Sequence, residues 1–414
     1  MKDNNKAKLS GALIGALVLL FLMYLVYGLW SGGFGANSGN MMGFFDITES
    51  RQGMIMTVQS IGCVVLSVIV AIYGERLNKL RGLFYGLFIL GIGGLLIGTM
   101  PLYTSVGSGY ILMLIYSLIG GIGYISIDLL VNGAVADVYP DKKTTFLPLI
   151  HGMFALGSMI APLFVSFLAK PEKPGTFAMP YLVLGGVALV ASVVFFFIVR
   201  KATPETPYAD MAPIRARAAA NPVEIFKDIR AWQFLFCCFL YHSFQTGMVA
   251  WLPRFFEKSF GTRYEVANSM LSLYFFGALC IRFLSPLVLK KIAPKKFFLC
   301  SIGASVVIFS LLLLIPPMPI TLQKILLVII GLLQGAAIPT LQILCSDAFP
   351  DRTASASSAI GMGISLSTLI APLAMGIIIE KSGYSASMWF VTALLLLSFI
   401  VLLTVKEKKE PACS

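Results

Sequence analysis

Long stretches of apolar residues, separated by short polar segments, recur along the whole chain. Clear examples are Gly11–Trp30, Leu83–Met100, Tyr181–Val199, Ile302–Ile315 and Met388–Val405. About 20 apolar residues in a helix cross the hydrocarbon core of a bilayer, and a helix satisfies its own backbone hydrogen bonds there. The pattern predicts an all-α membrane protein with twelve transmembrane helices. We place them at residues 10–36, 51–73, 82–102, 107–135, 145–169, 179–200, 231–255, 264–289, 295–316, 321–345, 354–381 and 386–406.

The composition agrees with the prediction of a membrane protein, because 58% of the 414 residues are hydrophobic and only 12% are charged. Soluble domains carry about 25% charged residues, so this chain cannot cover a water-facing surface of its size. A soluble enzyme is therefore excluded. The run Gly11–Trp30 is long, lacks a small-residue cleavage site and is followed by further spans, so we expect a transmembrane helix rather than a signal peptide.

The seven cysteines do not predict a metal site or a disulfide. All but Cys413 lie in apolar segments, without the paired spacing of a zinc site. We expect them to be small buried hydrophobic residues. The chain also contains no P-loop sequence, which argues against ATP as its energy source. No cofactor and no metal are predicted.

The net charge of +12 suggests a nucleic-acid partner, but its distribution indicates membrane orientation instead. Lys and Arg are concentrated in both tails and in the loops that follow the even-numbered spans, which all lie on one side of the membrane. Because cytoplasmic segments carry the excess of Lys and Arg, both termini are predicted to be cytoplasmic. We expect a multi-pass protein of the cell (plasma or inner) membrane that contacts the lipid bilayer and binds no nucleic acid.

The second half of the chain repeats the first. Asp137–Lys142 matches Asp347–Arg352 at an offset of 210 residues, and the same offset places Ile160–Leu163 on Ile370–Leu373. Six spans in each half make the two halves parallel repeats, and parallel repeats that rock about a central site are a known transporter architecture. The predicted domains are an N-terminal six-helix bundle (1–200), a cytoplasmic linker (201–230) and a C-terminal six-helix bundle with a short cytoplasmic tail (231–414).

This arrangement resembles the major facilitator superfamily over nearly the whole chain. The loop Gly74–Arg81 is similar to the superfamily's loop signature, with Asn78 where Asp is commoner and without the second glycine. Span 4, with Asp128 and Asn132, and the start of span 5 at His151 are similar to the fucose permease-like branch of sugar–proton symporters. The resemblance implies a monomer in which spans 1, 4, 7 and 10 line a cavity for a small-molecule substrate.

Ionisable side chains inside spans are rare and commonly serve transport. Asp128 and Asn132 are four residues apart and share one face of span 4. We interpret Asp128 as a substrate-binding and proton-coupling residue, Asn132 as a substrate ligand and His151 as a proton relay. The alternative role of Asp128 and Asn132 is a structural hydrogen bond between helices. The alternative for His151 is packing as a neutral, hydrogen-bonded side chain. Sodium is a second candidate for the coupling ion, because carboxylate, amide and carbonyl oxygens can bind it.

Further candidates for the substrate site are uncharged or aromatic. His242 and Gln245 share a face of span 7, and Trp251 follows about two turns later. Tyr27 lies in span 1, which contains polar groups but no charge. Packing is the alternative role of each of these side chains. For Trp251, a place in the interfacial aromatic belt is a further alternative.

Span 10 contributes Gln334 and Gln342, which lie on one stripe of the helix. Gly335 and Pro339 interrupt this stripe, and such residues allow a helix to bend and free its carbonyl groups. The predicted role of both glutamines is substrate binding beside a gate. Ordinary packing is the alternative.

Charged residues toward the cytoplasmic side are predicted to form a conformational latch. Arg282 lies about two thirds of the way along span 8 and needs a partner. We expect Arg282 to pair with Asp347. The symmetric acid, Asp137, is expected to pair with Arg76 or Lys79. Such pairs would hold the cytoplasmic side closed and break as the halves rock.

The favoured hypothesis is a secondary active transporter that moves a small, polar, sugar-like solute by alternating access, coupled to protons through Asp128. Proton-driven export of amphipathic compounds is an alternative, since 31 Phe and 18 Met residues suit an adaptable apolar cavity. Organic-anion transport ranks last, because Arg282 is placed close to the cytoplasm. A non-transporting receptor on the same fold is a further alternative.

Overall fold

The computed structural model describes residues 10–73, 76–215, 222–314, 318–350 and 353–405. Within these residues the chain is almost entirely helical. The first half contains α1 (Gly11–Phe45), α2 (Glu49–Tyr73), α3 (Lys79–Gly98), α4 (Tyr110–Val138), α5 (Lys143–Leu168) and α6 (Ala178–Ala202). The second half contains α7 (Ile229–Phe260), α8 (Tyr264–Val288), α9 (Pro294–Leu314), α10 (Ile320–Ala348), α11 (353–382) and α12 (384–404).

Eleven of the described helical segments are long and apolar enough to cross a membrane. The last of them belongs to Thr353–Thr404, which is broken at Gly383, where φ is 83° and ψ is 169°. This conformation suits glycine, which has no Cβ atom, and it separates α11 from α12. The break turns one long segment into two crossings, so the predicted fold of twelve transmembrane helices is confirmed.

Two helices extend beyond their predicted ends. α1 continues to Phe45 rather than residue 36, and α7 continues to Phe260 rather than residue 255. The extension of α1 is rich in Gly, Asn and Ser, which have low intrinsic helix propensity. Tertiary contacts stabilise it, because Asn37 donates to the Phe177 carbonyl at 2.8 Å and Asn40 donates to the Tyr264 hydroxyl at 2.8 Å.

Buried hydrophobic side chains form one large cluster in each half. The first extends from Leu13 to Ile214, and the second from Ile225 to Val405. This separation supports the division into two bundles, although the limits at 1–200, 201–230 and 231–414 stay a prediction. Residues 216–221 of the linker lie outside the described residues.

The repeat found in the sequence is also visible in the backbone. α4 is followed by Tyr139, with φ −126° and ψ 54°, and α10 is followed by Phe349, with φ −132° and ψ 63°. Each of these residues precedes a proline, which disfavours the α conformation at that position. The matching geometry supports two parallel repeats. Asp351 and Arg352 of the second copy lie outside the described residues.

The two faces of the bundle contain different parts of the chain. The start of α1, the end of α12 and the linker lie at one face, which we name the terminal face. The turns that follow the odd-numbered helices lie at the opposite, far face. Within the described residues, side-chain hydrogen bonds between the halves lie in the half of the bundle nearer the far face. The structure is therefore closed at the far face.

Hydrogen bonds from several helices contribute to this closure. Asn40 on α1 donates to the Tyr264 hydroxyl on α8 at 2.8 Å, and Tyr384 on α12 donates to the Glu49 carboxylate on α2 at 3.0 Å. The helices also approach closely, because a Cβ atom at Gly35 would overlap the carbonyl oxygen of Val249 on α7. Glycine at this position thus permits contact between the α1 and α7 backbones.

Candidate functional site

A hydrogen-bonded network centred on Asp128 lies inside the N-terminal half. Tyr24 on α1 donates its hydroxyl hydrogen to Oδ1 of Asp128 on α4 at 2.9 Å. Oδ2 of Asp128 makes no hydrogen bond within the described chain, and it is not among the polar atoms that are buried without a partner. One carboxylate oxygen is thus fixed, while the other is open to a proton or a solute.

Asn132 and His151 continue this network, and their contacts define the imidazole tautomer. The Asp128 main-chain carbonyl can only accept a hydrogen bond, so Asn132 presents Nδ2 to it, at 3.2 Å. Asn132 therefore presents Oδ1 to Nε2 of His151, at 2.9 Å. Because Oδ1 is an acceptor, Nε2 of His151 carries hydrogen. Nδ1 is then the nitrogen that can take up a second proton.

Aromatic rings form a wall beside the carboxylate. Tyr27 stacks on Tyr124 with ring centroids 4.2 Å apart, and it contacts Phe154 at 5.0 Å. Tyr24 lies 5.5 Å from Tyr27 and makes an edge contact with His151 at 5.1 Å. The structure thus brings the predicted residues Tyr27, Asp128, Asn132 and His151 into one region. Tyr24 was not predicted as a site residue, because its contact with Asp128 depends on how α1 packs against α4.

Arg282 on α8 approaches this region from the C-terminal half. Its guanidinium carbon lies 5.6 Å from the centre of the Phe154 ring, and its Nε donates to the Gly335 carbonyl at 3.1 Å. That carbonyl has no helical donor, since residue 339 is a proline without an N–H group. The two terminal nitrogens of Arg282 make no hydrogen bond within the described chain and are not sealed from solvent.

The expected pair between Arg282 and Asp347 is absent from this conformation, in which the far face is closed. Because the pair is predicted to form when the opposite, cytoplasmic side is closed, the latch stays a prediction. Within the described residues no ion pair joins them, and Asp347 is exposed near the terminal end of α10. Arg282 instead contacts a main-chain carbonyl at the break between Ile320–Gln334 and Ala337–Ala348. Matching charges along the sequence cannot reveal such a partner, because a backbone carbonyl has no side-chain signature.

Two of the three predicted glutamines of the C-terminal half are connected by a tyrosine. Gln245 on α7 donates to the Tyr274 hydroxyl at 3.4 Å, and Tyr274 donates to Oε1 of Gln334 at 3.3 Å. Tyr241 donates to the main-chain carbonyl of Gln334 at 2.8 Å. Nε2 of Gln334 is buried without a partner. The sequence analysis missed the bridging role of Tyr274, which no charge or motif marks.

His242 lies between α7 and α11. Ser367 donates its hydroxyl hydrogen to the Ile364 carbonyl, so Nδ1 of His242, 2.5 Å from the Ser367 oxygen, is the donor of that contact. Thr246 lies 3.0 Å from the same nitrogen. This placement connects two helices of one half, and a substrate contact through Nε2 stays a prediction.

Two other predicted ligands do not join the network. Trp251 is 1% exposed, and its indole N–H donates to the Pro372 carbonyl at 3.2 Å. The prediction that Trp251 contacts the substrate is therefore corrected for this conformation, because its ring is enclosed by packing and its N–H is hydrogen-bonded. Gln342 is exposed and makes no hydrogen bond within the described chain, so its role stays a prediction.

Asp137 forms the ion pair with Lys79, one of its two expected partners. Nζ of Lys79 lies 2.7 Å from Oδ2 of Asp137, and Tyr208 of the linker donates to the same oxygen at 2.6 Å. Arg76 lies three residues before Lys79, at the same end of α3. Lys79 and Asp137 both belong to the first half. Their pair does not join the two halves directly, and the latch that we expected from it stays a prediction.

The arrangement suits binding of a polar solute together with proton exchange. A carboxylate and an imidazole lie on one half, a guanidinium lies on the other, and aromatic rings lie between them. Movement of one half relative to the other would change these distances. Among the described residues, no group of three His, Cys, Asp or Glu side chains could hold a metal ion.

Comparison with known proteins agrees with this architecture. A family model described as Major Facilitator Superfamily matches residues 17–361 and 256–414. The uncharacterized transporter YycB of Bacillus subtilis (strain 168) is 25% identical over 363 residues, covering 86% of this chain and 83% of that protein. The uncharacterized MFS-type transporter YfkL of the same organism is 21% identical over 320 residues, covering 72% and 78%.

Solved structures share the fold. A D-xylose–proton symporter has a TM-score of 0.77 at 15% identity, covering 94% of this chain and 97% of that one. The nucleoside transporter NupG has a TM-score of 0.70 at 16% identity, covering 96% and 100%. The family model spans most of the chain, so the protein is a multi-pass membrane transporter rather than an enzyme. The chain belongs to the Major Facilitator Superfamily.

Proposed function

We propose that the protein moves a small polar solute by alternating access and that Asp128 carries a coupled proton. The observation that most supports this proposal is the setting of Asp128. One of its oxygens is held by Tyr24 and the other is open, within a network that includes His151. Ionisable residues in such interior positions are typical of proton-coupled transporters.

The proposed orientation rests on the distribution of Lys and Arg. With both termini in the cytoplasm, the closed far face is external, and the described conformation has its external side closed. Protons and solute then exchange with the cytoplasm through the terminal face. Nδ1 of His151 is available to relay protons to Oδ2 of Asp128. The proposed transporter works as a monomer, and sodium is the alternative coupling ion.

Two features support a polar solute with a planar or ring-shaped body. The stacked Tyr27 and Tyr124 rings offer a flat surface beside Asp128, and aromatic rings often pack against sugar or base rings. The structural neighbours include, by their names, a xylose–proton symporter and a nucleoside transporter. A sugar-like solute is accordingly one candidate. Export of amphipathic compounds is the alternative that large apolar side chains would suit.

The test begins with thermal stabilisation of the purified protein in detergent by sugars, nucleosides, organic acids and amphipathic drugs. The protein is then reconstituted in proteoliposomes, and a solute that stabilises it is supplied outside them. Wild-type protein should accumulate this solute when a pH gradient is imposed. Asp128→Asn should still exchange the solute across the membrane but should not accumulate it. Accumulation by Asp128→Asn that equals the wild type would refute proton coupling through Asp128.

A further inference from the structure

Arg282 is a cation inside the membrane for which no carboxylate partner exists in the described chain. The ion pairs of the described residues include Lys79–Asp137, Arg230–Asp228 and Arg254–Glu257, and Arg282 takes part in none of those that the described chain shows. A charge in this environment is costly unless it is paired or contacts polar groups. Arg282 contacts one carbonyl group and one aromatic ring. These contacts stabilise its charge but do not neutralise it.

Arg282 and the neighbouring Gln334 offer hydrogen-bond donors that have no partner within the described residues. Both terminal nitrogens of the guanidinium lack a hydrogen-bond partner among the described residues and are not buried. Nε2 of Gln334, the residue before Gly335, is also unpaired and is buried. A planar guanidinium with two open nitrogens matches the geometry of a carboxylate, which accepts two parallel hydrogen bonds. When Asp128 carries a proton, a neutral hydroxylated solute would leave the charge of Arg282 without a counterion.

The Arg282 side chain is also held in a fixed position that suits binding of a carboxylate. Its Nε is held by the Gly335 carbonyl, and its plane lies near the Phe154 ring. Phe154 contacts Tyr27, so apolar ring surface continues from Arg282 toward Asp128. These contacts point to a ligand with a carboxylate at one end and a small apolar or aromatic body.

We propose that the substrate is a small organic monocarboxylate whose carboxylate binds Arg282, and that one proton on Asp128 accompanies each substrate. This inference rests on the proposed function and specifies its substrate class. The empty site holds one negative charge on Asp128 and one positive charge on Arg282. The loaded site holds a neutral Asp128, the positive Arg282 and one anion. Both forms have zero net charge if His151 stays neutral, so the rocking step moves no net charge across the membrane.

Matched pairs of carboxylate and amide test the binding part of this proposal. Benzoate with benzamide, and lactate with lactamide, differ chiefly in charge at one end. At least one of the carboxylates should stabilise the wild-type protein against heating, with an apparent affinity about tenfold or more above that of its amide. Arg282→Gln should lose this preference, and Arg282→Lys should keep part of it. Arg263→Gln, at the other end of α8, is the matched control and should behave as the wild type.

Transport in proteoliposomes tests the charge balance. Uptake of the stabilising carboxylate, driven by a pH gradient, should proceed at the same rate with and without a potential set by potassium and valinomycin. Uptake that follows the potential would overturn electroneutral coupling. Stabilisation by the amides equal to that by the carboxylates, or no stabilisation by either carboxylate, would overturn the substrate class.

The two proposals can fail separately. If pH-driven accumulation of a neutral solute survives in Arg282→Gln and is lost in Asp128→Asn, proton coupling holds and the monocarboxylate proposal is wrong. If a carboxylate binds through Arg282 but Asp128→Asn still accumulates it with the pH gradient, the role of Arg282 in binding stands and the coupling site is wrong.

Discussion

Arg282 and Gly335 are joined by a hydrogen bond of 3.1 Å from the guanidinium Nε to the main-chain carbonyl. In an uninterrupted helix, the N–H of residue 339 would occupy this carbonyl, but Pro339 has none. The break in α10 thus supplies the acceptor that holds the cation of α8. Two helices of the C-terminal half are coupled by this contact, at the point where Phe154 of the other half also meets Arg282.

Pro339→Ala tests whether the break positions Arg282. The new N–H group would compete for the Gly335 carbonyl, so α10 should become more continuous and Arg282 should lose its fixed position. We expect transport to fall several-fold while thermal stability is unchanged or higher, because alanine favours a helix. The measurements are flux in proteoliposomes and the melting temperature in detergent.

Pro148→Ala is the control for this substitution. Pro148 is also an exposed proline within a helix, but it lies near the start of α5, and no contact of the proposed site depends on it. Its flux should match the wild type. Wild-type flux in Pro339→Ala would show that the break is not needed to position Arg282.

Gly35→Leu should prevent closure of the far face. A Cβ atom at Gly35 would overlap the Val249 carbonyl, so a leucine forces α1 away from α7. Spin labels at Ser108 and Lys258, both exposed at the far face in different halves, should report a longer distance in the variant. Transport should be nearly abolished, because alternating access requires closure of both faces in turn.

Gly186→Leu provides the matched control for this glycine. No atom lies within 4 Å of a Cβ built at Gly186, so a leucine there should leave the spin-label distance and the flux unchanged. If Gly35→Leu gave the same label distance as this control, the account of the far face would be incorrect.

Asp137→Ala should reduce stability rather than change the balance between conformations. The side chains of Lys79 and Asp137 are only 7% and 17% exposed, so the substitution removes an ion-pair partner from a largely buried cation. We expect a loss of roughly 3 kcal/mol in the free energy of unfolding. Tyr208→Phe removes one hydrogen bond and should cost about 1 kcal/mol. Asp141→Ala, an exposed acid nearby, is the control and should have little effect.

The spin-label distance at the far face distinguishes this structural role from a latch. It should be the same in Asp137→Ala as in the wild type, since both partners of the ion pair lie in one half. A marked shift of that distance, without loss of stability, would support the latch interpretation instead.

Fusion reporters test the orientation that the Lys and Arg distribution predicts. Green fluorescent protein at the C-terminus should fluoresce, because it folds in the cytoplasm. Alkaline phosphatase inserted after Val106, in the turn between α3 and α4, should be active, because it requires an oxidising compartment. The opposite result for both reporters would place the termini outside and make the described conformation outward-facing.

The sequence predicted the helix number and the polar centre of the first half because both leave strong signals. Asp128 and His151 are ionisable groups within apolar spans, and their spacing from Asn132 is informative. The contact of Asp128 with Tyr24 was not predictable, because it depends on how α1 packs against α4. Tyr24 differs in no visible way from other tyrosines in the spans.

The second half was less predictable for a related reason. Arg282 was identified as a cation in need of a partner, but its acceptor is a main-chain carbonyl freed by Pro339. Only the position of α10 beside α8 shows which carbonyl that is. Trp251 illustrates the opposite case, since a residue type that often binds solutes is here enclosed by packing.

The most direct test of proton coupling is the movement of protons with the solute. Wild-type protein and Asp128→Asn are reconstituted in liposomes that contain a pH-sensitive dye, and a gradient of the stabilising solute is imposed without a pH gradient. The account predicts that the wild type acidifies the interior as solute enters, whereas Asp128→Asn exchanges solute without a pH change. Equal acidification by both proteins would contradict the assignment of Asp128 as the proton carrier.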